Sequence, residues 1–277
     1  MDDTLYKYGF NFKKKFGQNF LTDTNLLRAI VADAGVTENT TVLEIGTGAG
    51  ALTRALAEKA KRVVSYEIDR DLMPVLQETL AGLDNVEVVF RDFEKENLEK
   101  LEEELGEYTV VANLPYYITT PLIMRLVEEA KKCLGFTVMV QEEVALRFAA
   151  KENTADYSAV TAALARRGSA QVLRKVPRTL FTPRPNVDSA IVKVDFSQGG
   201  FEVKSAKAYR DTVRCAFLSR RKTLENNLVK TFKLSREQAK EALSAAHVRD
   251  GARGESLSPQ ELGTLSDILF EKGIIKE

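Results

Sequence analysis

The segment VLEIGTGAG (42–50) leads from an apolar, β-branched run into a helical pattern through Gly46, Gly48 and Gly50. Glycines at such a turn admit positive φ and let the backbone approach a ligand closely. The next apolar run, RVVSYEI, carries Glu67, 21 residues after Gly46. A carboxylate there can accept hydrogen bonds from both hydroxyls of a ribose. A third run, VEVVF, is followed by Asp92 in FRDF, where a carboxylate can accept from an adenine amino group. Each acid alone reads as a solvated loop carboxylate, whereas three polar groups at three successive strand ends, Glu44, Glu67 and Asp92, describe one nucleoside site. A nicotinamide dinucleotide and S-adenosylmethionine both fit such a site. The loop is not the full G-x-G-x-x-G and no later segment offers a nicotinamide pocket, which favours S-adenosylmethionine.

A fourth run, YTVVAN, ends in Asn113-Leu114-Pro115-Tyr116. An exocyclic adenine amine is a poor nucleophile, because its lone pair is delocalised into the ring. Attack on a methyl group develops positive charge at that nitrogen. The Asn113 side-chain oxygen and a backbone carbonyl fixed by Pro115 can both accept from its N–H groups, favouring a pyramidal, cationic transition state. Tyr116 can stack on a flipped base. The product ammonium is acidic and loses its proton to water, so no general base is required. Asn-x-Pro is otherwise an ordinary loop element. The upstream pocket gives it chemical meaning.

Alternating strands and helices must position these groups. Strands are expected over 41–46, 62–68, 86–90, 108–113, 135–140, 170–176 and 190–196, with amphipathic helices over 52–60, 72–80, 122–132 and 142–150. Such alternation implies right-handed βαβ units and a parallel sheet covered by helices. The short connection FTPRPNVDS predicts an antiparallel pairing at one edge. SQGG (197–200) reads as a linker, followed by helix patterns at 204–218, 221–232, 235–246 and 258–271, with SREQ and SPQE as N-caps. The expected division is an N-terminal basic-aromatic arm over 1–25, a sheet domain over 26–197 and a helical domain over 198–277.

The 277 residues are 44% hydrophobic and 29% charged, enough apolar material for a core and against a disordered chain. No apolar run is long enough to span a membrane, and MDDTLYKYGF lacks a signal-peptide core, so a cytoplasmic protein with no membrane partner is expected. Cys133 and Cys215 form no CxxC pair, which fits a reducing compartment and argues against a metal. The single histidine, His247, sits in a helical pattern and reads as a structural residue; a histidine-dependent triad lacks its parts. Net charge is zero, yet residues 166–253 hold 20 Lys and Arg against 8 Asp and Glu, which points to a polyanion-binding face. Within it Arg220, Arg221 and Lys222 stand at an expected helix start. That placement is unfavourable for the helix dipole and suited to an external phosphate.

With these motifs the chain resembles the ribosomal RNA adenine N6-dimethyltransferases over nearly its whole length. FGQNFL (16–21), EIGTGAGALT (44–53), YEID (66–69), NLPYYITTP (113–121), FTPRPNVDSA (181–190) and AFLSRRKTLENNL (216–228) carry the resemblance. Within that family it looks like the small-subunit enzyme, which dimethylates two adjacent adenosines near the 3′ end of 16S ribosomal RNA. The resemblance implies an α/β fold, a Rossmann-like S-adenosylmethionine-dependent methyltransferase sheet with a small all-helical C-terminal domain. It implies cofactor contacts at Asn19, Leu21, Gly46, Glu67, Asp92 and Asn113, to which the glycine loop adds Gly48. It also implies that Phe181 packs against the target adenine opposite Tyr116. The family loop usually reads Gly-Pro-Gly, whereas Thr47 stands here. FGQNFL, after Lys13-Lys14-Lys15, could fold over the cofactor as a lid. The implied partner is the small ribosomal subunit, bound by a monomer. A large-subunit adenosine dimethyltransferase shares the pocket, and a ribosome-assembly factor acting chiefly by binding is the rival of a different class.

Overall fold

A computed structural model of the chain describes residues 2–13 and 16–277. Lys14 and Lys15 lie outside the described residues. Two compact units emerge: residues 1–145 with 171–195, and residues 146–170 with 196–277.

The first unit is built on a seven-stranded sheet. Its strands are β2 (Thr41–Ile45), β3 (Arg62–Glu67), β4 (Val86–Phe90), β5 (Tyr108–Asn113), β6 (Cys133–Gln141), β7 (Ser169–Val176) and β9 (Ser189–Asp195), in the order β4-β3-β2-β5-β6-β9-β7. The pairs β2–β3, β3–β4, β2–β5 and β5–β6 are parallel, and β6–β9 is antiparallel. The antiparallel step therefore falls between β6 and β9, with β7 outermost. Two short strands, β1 (Phe20–Leu21) and β8 (Phe181–Thr182), form a separate antiparallel pair.

All seven expected strands form, within two residues of their predicted bounds. Val42, Val63, Val110, Val111 and Val138 are fully buried, as parallel strands covered on both faces require. The covering helices include α2 (Thr24–Ala34), α3 (Ala51–Ala57), α4 (Met73–Thr79), α5 (Leu98–Leu105) and α6 (Thr119–Glu129), and α7 (Glu142–Phe148) follows β6. Helices α2 and α5 are additions to the sequence reading. The Asp23 and Asn97 side chains cap their first turns, accepting from the Leu26 and Lys100 N–H groups. The chain runs β2 to β3 to β4 on one side of the sheet, then returns to lay β5 and β6 on the other. This reversal between β2 and β5 is a topological switch point, where crevices open beyond the strand carboxyl ends.

The N-terminal arm is part of this unit. Helix α1 (Asp2–Lys7) packs on α4, and Leu5 and Phe20 share an apolar cluster with Leu72, Val75 and Leu76.

The second unit contains α8 (Ala159–Arg167), α9 (Ala206–Ala216), α10 (Leu224–Phe232), α11 (Arg236–Ala245) and α12 (Pro259–Glu271). The two N-cap motifs form as read, with reciprocal capping boxes at Ser235/Gln238 and Ser258/Glu261. One boundary differs from the sequence expectation. Residues 146–170 cluster with the C-terminal helices rather than with the sheet. Tyr157 explains it: its ring is fully buried among Leu224, Leu257 and Leu262, and its hydroxyl donates to the Leu257 carbonyl at 2.8 Å. A continuous strand–helix pattern does not reveal which core a helix will join.

Candidate active site

A cavity of about 320 Å³ opens at the switch point. Its lining includes Asn19, Leu21, Gly46, Gly48, Glu67, Asp92, Asn113, Leu114, Pro115 and Tyr116, so four strand ends and the arm meet at one place as expected.

The glycine loop takes the shape its composition allows. Gly46 and Gly48 have φ of 89° and 56°, in a region most side chains avoid. A Cβ on Gly48 would come within 3.2 Å of the Phe20 ring, so that residue also lets the arm lie close. Thr47, where the family usually has proline, is buried, and its hydroxyl shares a 2.6 Å hydrogen bond with the Ser65 hydroxyl. Ser65 donates on to Glu44 Oε2 at 2.6 Å, and Thr53 donates to the same oxygen at 2.6 Å. A hydroxyl–carboxylate relay therefore ties loop, strand and helix together where a proline would only restrict φ. Glu44 is 1% exposed, and burial pushes its carboxyl up to about 8.

Glu67 is buried at the end of β3. Its Oε2 accepts from the Gly48 N–H and its Oε1 from the Asp69 N–H, both at 2.8 Å. These bonds fix the carboxylate while leaving lone pairs on both oxygens. Burial raises its titration above the ordinary carboxylate value, and the two N–H donors oppose that shift. Asp92 caps a short turn, its Oδ1 accepting from the Glu94 N–H at 3.1 Å.

Asn113 ends β5. Its Nδ2 donates to the Asn19 carbonyl at 3.2 Å, which commits the nitrogen and leaves Oδ1 as the acceptor. The Pro115 carbonyl already accepts from the Thr119 hydroxyl at 3.0 Å and from the Ile118 N–H at 3.3 Å. Tyr116 is half-buried and its hydroxyl is pinned to Ser189 Oγ at 2.7 Å. Ser189 belongs to the FTPRPNVDSA segment, so that segment positions the tyrosine. Nothing in its residue types announces this pairing across 73 positions.

The arm lies at the cavity. Phe16, Gly17, Gln18 and Asn19 line it. Gln18 donates to Asp69 Oδ2 at 2.8 Å, and Lys13 pairs with both Asp69 and Asp71. Asp69 is the residue whose N–H binds Glu67, so the arm contact and the Glu67 carboxylate share one neighbour. YEID marked this stretch in the sequence, without its contacts to the arm.

Phe181, expected against the target adenine, lies outside the cavity lining. It is 5% exposed, lies opposite Leu21 in the β1–β8 pair, and joins Leu21, Leu27 and Met139 in the core. Those three residues line the cavity and Phe181 does not.

The basic triplet belongs to the second unit. Helix α10 starts at Leu224 with Thr223 as N-cap, so the triplet occupies the turn before the helix rather than its first turn. Arg220 pairs with Glu255 at 2.9 Å and donates to the Ala155 carbonyl at 2.9 Å. Arg221 and Lys222 are exposed. Arg249 and Arg253 share a polar depression with Arg220, a grouping that residues 29 and 33 positions apart do not disclose. Within the basic stretch over 166–253, residues 171–195 belong to the sheet unit, where Arg174 pairs with Asp33 and Lys175 with Glu142.

Cys133 and Cys215 are buried free thiols, and burial pushes Cys215 up to about 11. His247 is exposed in a turn beyond α11, with a left-handed φ of 56°, rather than in the helix. Among the described residues no cluster of His, Cys, Asp and Glu could hold a metal, and no helix is long and apolar enough to cross a membrane.

Comparison with known proteins gives the family. Residues 9–270 match the family model described as ribosomal RNA adenine dimethylase. The ribosomal RNA small subunit methyltransferase A of Bacillus licheniformis is 45% identical, over 97% of this chain and 95% of its own length. Its counterpart from Geobacillus thermodenitrificans is 46% identical, over 97% and 94%. Among solved structures, the 23S rRNA methyltransferase ErmE is 31% identical with a TM-score of 0.69, covering 91% of this chain and 99% of that one. A dimethyladenosine transferase from Plasmodium falciparum shares the fold at a TM-score of 0.74 and 24% identity, over 92% and 98%. With strand-end acids, glycine loop and NLPY element gathered at one crevice, and matches of this extent, the chain belongs to the ribosomal RNA adenine dimethylase family.

Proposed function

We propose that the protein transfers methyl groups from S-adenosylmethionine to N6 of two adjacent adenosines near the 3′ end of 16S ribosomal RNA, acting as a monomer on the small ribosomal subunit. The observation that carries this reading is the Asn113 carboxamide, oriented by the Asn19 carbonyl so that its oxygen is the free acceptor beside the glycine loop.

The cavity fits the cofactor on its own chemistry. Glu67 offers a fixed, buried carboxylate for two ribose hydroxyls, Gly46 and Gly48 permit close backbone approach, and Asp92 offers an acceptor at the next strand end. Leu21 and Asn19 close the cavity from the arm. The cofactor supplies an electrophilic methyl group when bound. The chain's own residues then act on the acceptor. Asn113 Oδ1 and the Leu114 carbonyl accept the two N–H groups of the target amine and draw it from planar towards pyramidal, where its lone pair is available. Tyr116, held by Ser189, provides a stacking face for the flipped base. Phe181 backs the wall through Leu21. Water takes the proton released from the product ammonium.

Arg220, Arg221 and Lys222 are assigned to RNA phosphate contacts, Arg221 and Lys222 directly. Arg220 does so by exchanging its pairing with Glu255. Backbone contacts of this kind position an RNA rather than read its sequence.

The test is to incubate the protein with labelled S-adenosylmethionine and separately purified, unmethylated small and large subunits. Labelled N6,N6-dimethyladenosine in small-subunit RNA alone is the expected result. Label in the large subunit would replace the proposed substrate, and binding without label would favour the assembly-factor role.

A further inference from the structure

Arg125, on α6, makes contacts that the reaction as described does not use. Its Nη1 donates to the carbonyls of Phe93 at 2.9 Å and Glu94 at 3.0 Å, its Nη2 donates to the Glu96 carbonyl, and its Nε pairs with Glu129 at 3.2 Å. The guanidinium carbon stands 5.9 Å from the Phe93 ring centroid. Only 20% of the side chain is exposed. Three carbonyls about 30 residues distant in sequence thus converge on one planar group. Such convergence is unfavourable without a donor fork between them, because like dipoles then face one another with little water.

Those carbonyls belong to the turn Phe93–Lys95 and its exit, and the N-cap of that turn is Asp92. Asp92, Phe93 and Glu94 all line the cavity. Phe93 is buried and meets the Tyr66 ring edge-on at 5.1 Å, beside Glu67. On its other side, α6 begins three residues after Tyr116, as the direct continuation of the NLPY element. One side chain therefore ties the turn that carries Asp92 to the helix that follows Asn113.

We infer that Arg125 is a positioning residue for the cofactor's adenine subsite, holding the Asp92 turn against α6 so that the Asp92 carboxylate keeps its place in the cavity wall. This rests on the proposed reading that Asp92 accepts from the adenine 6-amino group. Lysine has the charge without the planar fork, and its ammonium can satisfy only part of the carbonyl set.

Wild type, Asp92→Ala, Arg125→Ala and Arg125→Lys are compared by calorimetric titration with S-adenosylmethionine and with its 6-oxo analogue, in which hypoxanthine replaces adenine. Methylation kinetics and melting temperature are measured alongside. In wild type the amino form should bind the more tightly. Arg125→Ala should weaken S-adenosylmethionine roughly tenfold, the worth of one hydrogen bond, and shrink its preference over the 6-oxo analogue. It should raise the cofactor KM more than it lowers kcat, and Arg125→Lys should fall between. If Asp92→Ala keeps the wild-type preference, the adenine assignment itself fails. If Asp92→Ala loses the preference while Arg125→Ala keeps it, Arg125 only stabilises the fold, whatever the melting temperature does, and the inference is overturned. Should Arg125→Ala not fold, a wild-type preference in Arg125→Lys overturns it equally.

Discussion

Replacing Glu67 with alanine probes the cofactor site where its geometry is best defined. The carboxylate sits at the end of β3 with one N–H on each oxygen, Gly48 on Oε2 and Asp69 on Oε1, both at 2.8 Å. Two ribose hydroxyls would occupy the remaining lone pairs as hydrogen bonds to a charged group, worth about 1.5–3 kcal/mol each. Losing both weakens S-adenosylmethionine by roughly 3–6 kcal/mol, about 10²- to 10⁴-fold in Kd. The lower end is the better guide, because the same oxygens already serve the two backbone donors. A pH series adds an independent readout. Burial raises the Glu67 titration, so the ionised acceptor is lost as pH falls, at a pH where an exposed glutamate would still be charged. Wild-type affinity should therefore decline on mild acidification, and Glu67→Ala should be flat over the same range. Calorimetric titration at several pH values measures both, with melting curves to show that the variant is folded. An affinity for Glu67→Ala within about threefold of wild type would refute the placement of the ribose.

Asn113→Ala should lower single-turnover methylation at saturating cofactor by ~10²-fold or more, with far less effect on RNA binding; near-normal turnover would remove the carboxamide from the transition state. Glu44→Gln should alter the pH dependence of stability. A buried carboxyl raised to about 8 favours the protonated form in the folded state, so wild-type stability falls as pH rises from the ordinary carboxylate range to about 8 and levels off above it. Each tenfold gain in proton affinity on folding is worth about 1.4 kcal/mol, so the loss amounts to a few kcal/mol. Melting curves at pH 6 and pH 9, values chosen to bracket roughly the upper part of the transition, should converge in the variant. Replacing Arg220, Arg221 and Lys222 together with alanine should flatten the slope of log affinity for small subunits against log salt by up to ~2–3 units. Because Arg220 already pairs with Glu255, the smaller value is expected, and an unchanged slope would shift attention to Arg249, Arg253 and the arm.

The sequence by itself determined the parts whose causes are local. Buried β-branched runs such as VVSY and TVVA can only be covered strands, and Ser235 and Ser258 announce their helices three residues ahead of Gln238 and Glu261. Gly46 and Gly48 mark a loop that needs positive φ. The acids and the NLPY element stand at strand ends, and any parallel sheet brings strand ends to one edge. That logic made the cofactor crevice legible without a fold. What remained hidden depends on which distant segments meet. Asn113 is oriented by a backbone carbonyl 94 residues earlier, and Tyr116 by a serine 73 residues later. Neither Asn19 nor Ser189 differs in type from an ordinary loop polar residue. Tertiary packing decided that Thr47 joins a hydroxyl relay to Glu44, that Phe181 faces the core, that residues 146–170 leave the sheet unit, and that Arg220 is already paired. Hydrophobic patterning states that a side chain will be buried or exposed. Hydrogen bonds and ion pairs are short-ranged, so their partners exist only once the folded chain has brought them within about 3 Å of each other.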